Sequence, residues 1–253
     1  MSLVETDWLK KNIGSVKIID CSWHMPQTKR SGIEEYKNQH IPNSIFFDLD
    51  ANSKKEIDLP HMLVNQNDWE QIVSKMGVKN EDEIVIYDNS DVISSCRCWF
   101  NFIYFGHNPK LVHVLNGGLK KWIKENNEVT KNIINIQPSN YKSFEKKELV
   151  KNKKSINQNI NEQKFKVIDA RSKERFEGKV QEPRKGLRSG SIKNSFCIPF
   201  DQCLNENKTF KSKENLKLIF ETCLENINEK NIVFSCGSGV TACVLALAYS
   251  LIN

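Results

Sequence analysis

The chain alternates short apolar runs with longer stretches in which apolar residues recur at helical spacing. Val16-Lys17-Ile18-Ile19-Asp20, Ile41-Pro42-Asn43-Ser44-Ile45-Phe46 and Glu83-Ile84-Val85-Ile86-Tyr87-Asp88 are compact β-branched runs, the length and composition of strands buried on both faces. Between them, Trp69, Ile72, Val73 and Met76 fall at i, i+3, i+4 and i+7, which predicts a helix with one apolar face. Alternating strands and helices predict a mostly parallel sheet covered by helices on both sides.

The same runs return in the same order in the second half of the chain. Lys166-Val167-Ile168-Asp169, Ile192-Lys193-Asn194-Ser195-Phe196-Cys197 and Asn231-Ile232-Val233-Phe234-Ser235-Cys236 echo the three segments above. Three matched pairs in order indicate an internal duplication, hence two tandem domains of α/β class. The stretch from about residue 124 to 163 turns polar and rich in Lys and Asn, which places the join there. The domains are expected at 1–130 and 131–253.

Composition narrows the classes. Of 253 residues, 37 are Lys or Arg and 31 Asp or Glu, a net charge of +6 spread through Lys- and Asn-rich stretches without aromatic interleaving. That distribution reads as a solvated surface rather than a nucleic-acid site. Eight cysteines without repeated spacing point to reduced thiols and a cytoplasmic setting. The N-terminus has acidic residues where a signal peptide needs basic ones. The apolar stretch 242–252 is shorter than the roughly 20 residues of a membrane span, so a buried helix and no membrane association are expected.

The candidate chemistry lies where the last repeated strand ends. Cys236-Gly237-Ser238-Gly239-Val240-Thr241-Ala242 joins that strand to a helix whose apolar positions Val240, Val244, Leu247 and Leu251 share a face. Glycines in a strand-to-helix loop permit positive φ and turn backbone N–H groups inward, and the helix start adds partial positive charge. A thiol in such a cradle is favoured as thiolate, which makes Cys236 the candidate nucleophile. At an offset of 148 residues the first half has Asp88, a carboxylate in place of the thiol.

The loop resembles the active-site loop of the 3-mercaptopyruvate sulfurtransferases in the two-domain rhodanese family. The resemblance extends over nearly the whole chain through Asp20-Cys21-Ser22-Trp23, His40-Ile41-Pro42, Phe46-Phe47-Asp48-Leu49-Asp50 and Val114-Leu115-Asn116-Gly117-Gly118-Leu119-Lys120-Lys121-Trp122. In the second half it includes Asp169-Ala170-Arg171, Arg175-Phe176-Glu177-Gly178 and Glu182-Pro183-Arg184-Lys185-Gly186. It implies two rhodanese-like domains, of which only the second is catalytic, with the first contributing surface to a cleft between them. Arg175 and Arg184 stand where the family binds a donor carboxylate, a role suited to a planar guanidinium fork. Relatives that prefer thiosulfate have basic residues directly after the cysteine; here Gly237 and Ser238 are neutral.

The implied activity is sulfur transfer from 3-mercaptopyruvate through a persulfide on Cys236 to a thiol such as reduced thioredoxin or a small thiol, or to cyanide, with release of pyruvate. The amides of Gly237, Ser238, Gly239, Val240 and Thr241 would stabilise the anionic sulfur. No metal or organic cofactor is required, and Cys96 and Cys98 lack a second pair at zinc-like spacing. Ser238 and His40 match a family Ser and His proposed to move protons, although Ser31 stands where relatives often have the acidic third member; His40 could equally cap a helix. Thiosulfate:cyanide sulfur transfer and a persulfide carrier without turnover are the alternatives. A phosphatase is excluded, because the C-x5-R arginine is replaced by Ala242. Counterparts of 112–115 and of the Trp122 helix are missing from the second half, so the chain reads as truncated and its second sheet is expected to lack a strand.

Overall fold

The structure, a computed structural model, describes residues 2–55, 57–184 and 186–253. It divides into two compact units, residues 1–147 with 207–209, and residues 148–206 with 210–253. The first unit runs β1 (Leu3–Val4), α1 (Thr6–Asn12), β2 (Lys17–Asp20), α2 (Gly32–Asn38), β3 (Ser44–Phe46), α3 (Gln66–Lys75), β4 (Ile84–Tyr87), α4 (Ser95–Tyr104), β5 (Val112–Leu115) and α5 (Gly118–Lys124). The second runs α6 (Lys153–Glu162), β6 (Lys166–Asp169), α7 (Lys173–Phe176), β7 (Phe196–Cys197), α8 (Lys213–Glu221), β8 (Ile232–Ser235) and α9 (Thr241–Ser250).

The first sheet is all parallel, in the order β1-β5-β4-β2-β3, with Ile18 beside Val85 and Val85 beside His113. Its two faces are covered differently. On one, Leu9, Ile18, Val85, Tyr87, Leu119 and Trp122 pack together, with Trp8 against them. Elsewhere in the unit, Trp69 of α3 stacks on Phe105 at 4.7 Å and meets Phe102 and Phe47 edge-on. Full burial of such rings excludes several hundred Å² from water, and burial of this kind is the main stabilising term of the unit, at about 25 cal/mol per Å².

The second sheet repeats the plan in the order β7-β6-β8, parallel throughout, with Val167 beside Val233 and Ile168 beside Phe196. Strands β6, β7 and β8 are thus the counterparts of β2, β3 and β4. Among the described residues, β8 pairs only with β6, and all four of its residues are partly exposed; β4, held between β2 and β5, is buried throughout. Helix α9 is apolar on nearly every side and buried at Ala242, Cys243, Val244, Leu245, Leu247 and Ala248, a wider surface than the single face its spacing predicts.

The division between the units lies at 147/148 rather than after residue 130. Residues 131–147 fasten to the first unit largely through their backbone: the Ser139 amide donates to Ser74 O at 2.9 Å and that of Phe144 to Phe105 O at 3.2 Å. Tyr141 is buried there, its hydroxyl 3.0 Å from His107 Nδ1. Attachment through backbone groups leaves no hydrophobic pattern in the sequence, which is why the polar stretch reads as a linker.

Candidate active site

Strands β6 and β8 end side by side at Asp169 and Ser235, and the candidate loop follows at once. Gly239 adopts a φ of +78°, a left-handed conformation that favours glycine. That turn directs the Gly239 amide at Cys236 Sγ, with N and S 3.1 Å apart. Gly237 has no positive φ; its significance is steric. A Cβ at Gly237 would stand 3.4 Å from Arg175 Nη2 and 3.8 Å from Arg184 Nη2, so both guanidinium groups flank the residue after the cysteine. Arg184 also donates from Nη2 to the Gly237 carbonyl. Cys236 and Ser238 are half-buried, Val240 is buried, and Thr241 opens α9.

Behind the arginines lies an ion-pair chain anchored on the sheet. Asp169, the last residue of β6, accepts from Arg171 Nη2 at 2.7 Å and from Nε at 3.0 Å, and its Oδ1 takes the Arg171 amide at 2.9 Å. Arg171 Nη1 donates to Glu182 Oε1 at 2.8 Å. Glu182 then accepts from Arg175 Nε at 3.1 Å and from its Nη2 at 2.6 Å. The Arg175 fork, working against burial, holds the Glu182 carboxyl below the usual carboxylate range, and the bonds that Arg171 donates to Asp169 raise Arg171. Four charges cancel along this chain; Arg184, among the described residues, faces a carbonyl and no carboxylate. Arg171 and Glu182 belong to motifs visible in the sequence, but nothing in their spacing reveals that they join.

The remaining thiols are placed for packing. Burial pushes Cys203 up to about 12, and burial with the neighbouring Asp169 charge pushes Cys197 up to about 11. Cys21 is raised well above its ordinary value by burial and by its contact with Cys98. Cys96 and Cys98 are buried in α4, and Cys243 donates to the Gly239 carbonyl at 3.1 Å.

His40 lies in the first unit and is fully buried. Its Nδ1 is 2.6 Å from the carbonyl of Tyr36 in the last turn of α2, its Nε2 is 3.2 Å from Asn132 O, and its ring stacks on Tyr36 at 4.1 Å. Of the two roles the sequence left open, this is the geometry of the helix cap. Lys185, part of the motif that carries Glu182 and Arg184, lies outside the described residues.

In the first unit the equivalent of Cys236 is Asp88, and its carboxylate fills the equivalent cradle itself. Oδ1 accepts the Ser90 amide and Oδ2 the Ser95 amide that opens α4, both at 2.8 Å. Burial raises its pKa while those amides oppose the rise. The site is closed by its own side chain.

One α/β fold is used twice, with a thiol facing a loop amide in the second copy and a buried carboxylate at the equivalent position of the first. The rhodanese-like domain family matches residues 5–125 and 152–252, and the chain belongs to that family. It is 37% identical over 269 residues to thiosulfate/3-mercaptopyruvate sulfurtransferase 1, a mitochondrial protein of Arabidopsis thaliana, across 97% of this chain and 70% of that one. It is 32% identical to the 3-mercaptopyruvate sulfurtransferase of Mus musculus across 97% of this chain and 84% of that one. The crystal structure of SseA from Escherichia coli, a 3-mercaptopyruvate sulfotransferase, superposes with a TM-score of 0.89 at 29% identity, covering 100% of this chain and 94% of that one. The protein is a sulfurtransferase.

Proposed function

We propose that the protein takes the sulfur of 3-mercaptopyruvate onto Cys236 and passes it to a thiol. The observation that carries this reading is the meeting at one loop of a thiol faced by the Gly239 amide and of two guanidinium groups beside Gly237. The Cys236 thiolate attacks the donor sulfur; the S–C bond breaks, and its electron pair goes to carbon as the enolate of pyruvate. The donor thiol's proton ends on that carbon, and Cys236 is left as a persulfide anion stabilised by loop amides. An acceptor thiolate, from a reduced thioredoxin or a small thiol, attacks the outer sulfur and releases the Cys236 thiolate. Cyanide does the same in an assay and leaves as thiocyanate.

The donor assignment rests on charge and shape. Gly237 and Ser238 are neutral, while Arg184 offers a fork without a carboxylate partner among the described residues, suited to one planar carboxylate. Thiosulfate is the second donor, favoured by the double name of the Arabidopsis thaliana relative. No proton is routed through His40, whose ring is occupied in the first unit. A reducing, cytoplasmic setting suits a chain whose cysteines are free thiols.

Incubation with 3-mercaptopyruvate followed by intact-mass measurement is expected to add one sulfur atom at Cys236, with repeated pyruvate release once thiol is supplied. Cys236→Ser removes both. Sulfur loading without turnover would make the protein a carrier, a higher kcat/KM for thiosulfate would reverse the donor order, and activity surviving in C236S would overturn the nucleophile.

A further inference from the structure

Arg175 and Arg184 flank the same residue, yet their surroundings differ. Two like-charged guanidinium groups near one point repel each other and, unpaired, would turn outward into solvent. Arg184 is fixed by the Gly237 carbonyl. Arg175 comes from the short helix α7 and has a long, rotatable side chain, so something else must hold it at the loop. The Glu182 side chain is 4% exposed, and both its oxygens are taken by arginines. A carboxylate so far removed from water is tolerated when its charge is fully paired. Its second partner, Arg171, is locked on Asp169 and on the Gly190 carbonyl at 2.9 Å, which ties Glu182 to the end of β6. Strand, Asp169, Arg171, Glu182 and Arg175 thus form one continuous chain of charge-assisted bonds that ends at Gly237.

We infer that Glu182 is a positioning residue for donor recognition: it fixes the Arg175 guanidinium beside Gly237, cancels that charge, and leaves Arg184 as the net positive charge that a donor carboxylate meets. The inference rests on the assignment of 3-mercaptopyruvate as donor. The two arginines are then unequal: Arg175 supplies a rigid, neutralised wall with directed N–H groups, and Arg184 supplies the electrostatic attraction. With Glu182 neutral, Arg175 is no longer held, and a second uncompensated cation stands against Arg184.

The test compares 3-mercaptopyruvate with mercaptoacetone, which has the same ketone and thiol but a methyl group in place of the carboxylate. In Glu182→Gln the ratio of kcat/KM for the two donors is expected to fall about tenfold, mainly through KM for 3-mercaptopyruvate, the scale of one lost charge-assisted contact. Glu182→Asp, which keeps the charge on a shorter arm, is expected to lie between E182Q and the parent. A merely structural role would lower kcat/KM for both donors together and leave the ratio in place. A ratio within about twofold of the parent in E182Q, with the parent preferring the carboxylate donor, overturns the role of Glu182 alone. A parent protein without that preference overturns the donor assignment and this inference with it. If E182Q loses its folded circular-dichroism spectrum, E182D decides: an unchanged ratio there overturns the inference.

Discussion

Replacing Gly239 by Ala separates the loop's shape from its chemistry. Gly239 holds a φ of +78° and its N–H stands 3.1 Å from Cys236 Sγ, so one residue carries both the strain and the donor. An alanine kept in that conformation costs about 1–2 kcal/mol, which appears as lost stability of the second unit. If the loop instead relieves the strain by turning the 238–239 peptide, the amide leaves the sulfur. A hydrogen bond to a charged acceptor contributes about 1.5–3 kcal/mol, or roughly 10- to 150-fold in the rate at which the thiolate reacts. Both routes predict a measurable loss, and they partition differently between two assays. Urea unfolding followed by far-UV circular dichroism reads the first. The rate of Cys236 alkylation by iodoacetamide at pH 7, resolved by peptide mass, reads the second. Gly237→Ala is the companion variant: it carries no φ strain, and its Cβ meets the two guanidinium groups at ordinary contact distance, so the smaller change is expected there. A G239A protein equal to the parent in both assays would refute the amide cradle as the source of Cys236 reactivity.

Two further predictions concern the first unit, which contains all five tryptophans and is therefore read by intrinsic fluorescence. Burial raises Asp20 from 3.8 to about 6, so its contribution to stability is greatest below pH 4 and is lost as pH rises toward 6. Asp20→Asn is therefore expected to gain on the parent by up to about 3 kcal/mol between pH 4 and pH 7 in urea unfolding, and an equal difference at both pH values would refute this. Asp88→Ala strips an acceptor from the Ser90 and Ser95 amides inside the unit and is expected to cost about 2–5 kcal/mol; a loss under about 1 kcal/mol would show that those amides find other partners.

Much of this architecture is legible in the sequence because the strands recur. The runs at 17–20, 84–87, 166–169 and 232–235 each form a parallel strand, and the helical spacing from Trp69 to Met76 falls on α3 and its cap. Two features of the fold escape. Strand β1 is two residues long and pairs with β5, too short to show a period. The attachment of residues 131–147 runs in large part through backbone amides, which no side-chain pattern records. At the site, Cys236, Gly239, Arg175 and Arg184 lie around one loop. The Glu182 junction stays hidden because ion pairs between residues 7 and 11 apart have no periodic signature. His40 was equally open to two roles in sequence, since burial cannot be read from a His-Ile-Pro turn.

The paired loops differ in what each offers at the end of its strand. Both halves turn a carboxylate at the end of the equivalent strand back onto the amide two residues on, Asp20 to Ser22 and Asp169 to Arg171, each at 2.9 Å. They diverge in what compensates it. Arg171 neutralises Asp169 and passes its remaining bonds toward the loop through Glu182. In the first half Ser22 stands in the place of Arg171, no cation among the described residues pairs with Asp20, and burial raises it to about 6. The first loop likewise satisfies its own amides with Asp88, whereas Cys236 is half-buried and meets the Gly239 amide, with two guanidinium groups beside Gly237. A carboxylate in the cradle gives a closed, structural loop; a thiol there leaves the arginines beside the loop instead of an internal acceptor. The first loop does keep one fork, since Arg30 pairs with Glu35 and donates to the Asn89 carbonyl at 3.0 Å, as Arg184 does to that of Gly237; restoring a thiol at position 88 would therefore supply the nucleophile beside one guanidinium group, without the Asp169–Arg171–Glu182 chain that holds the second.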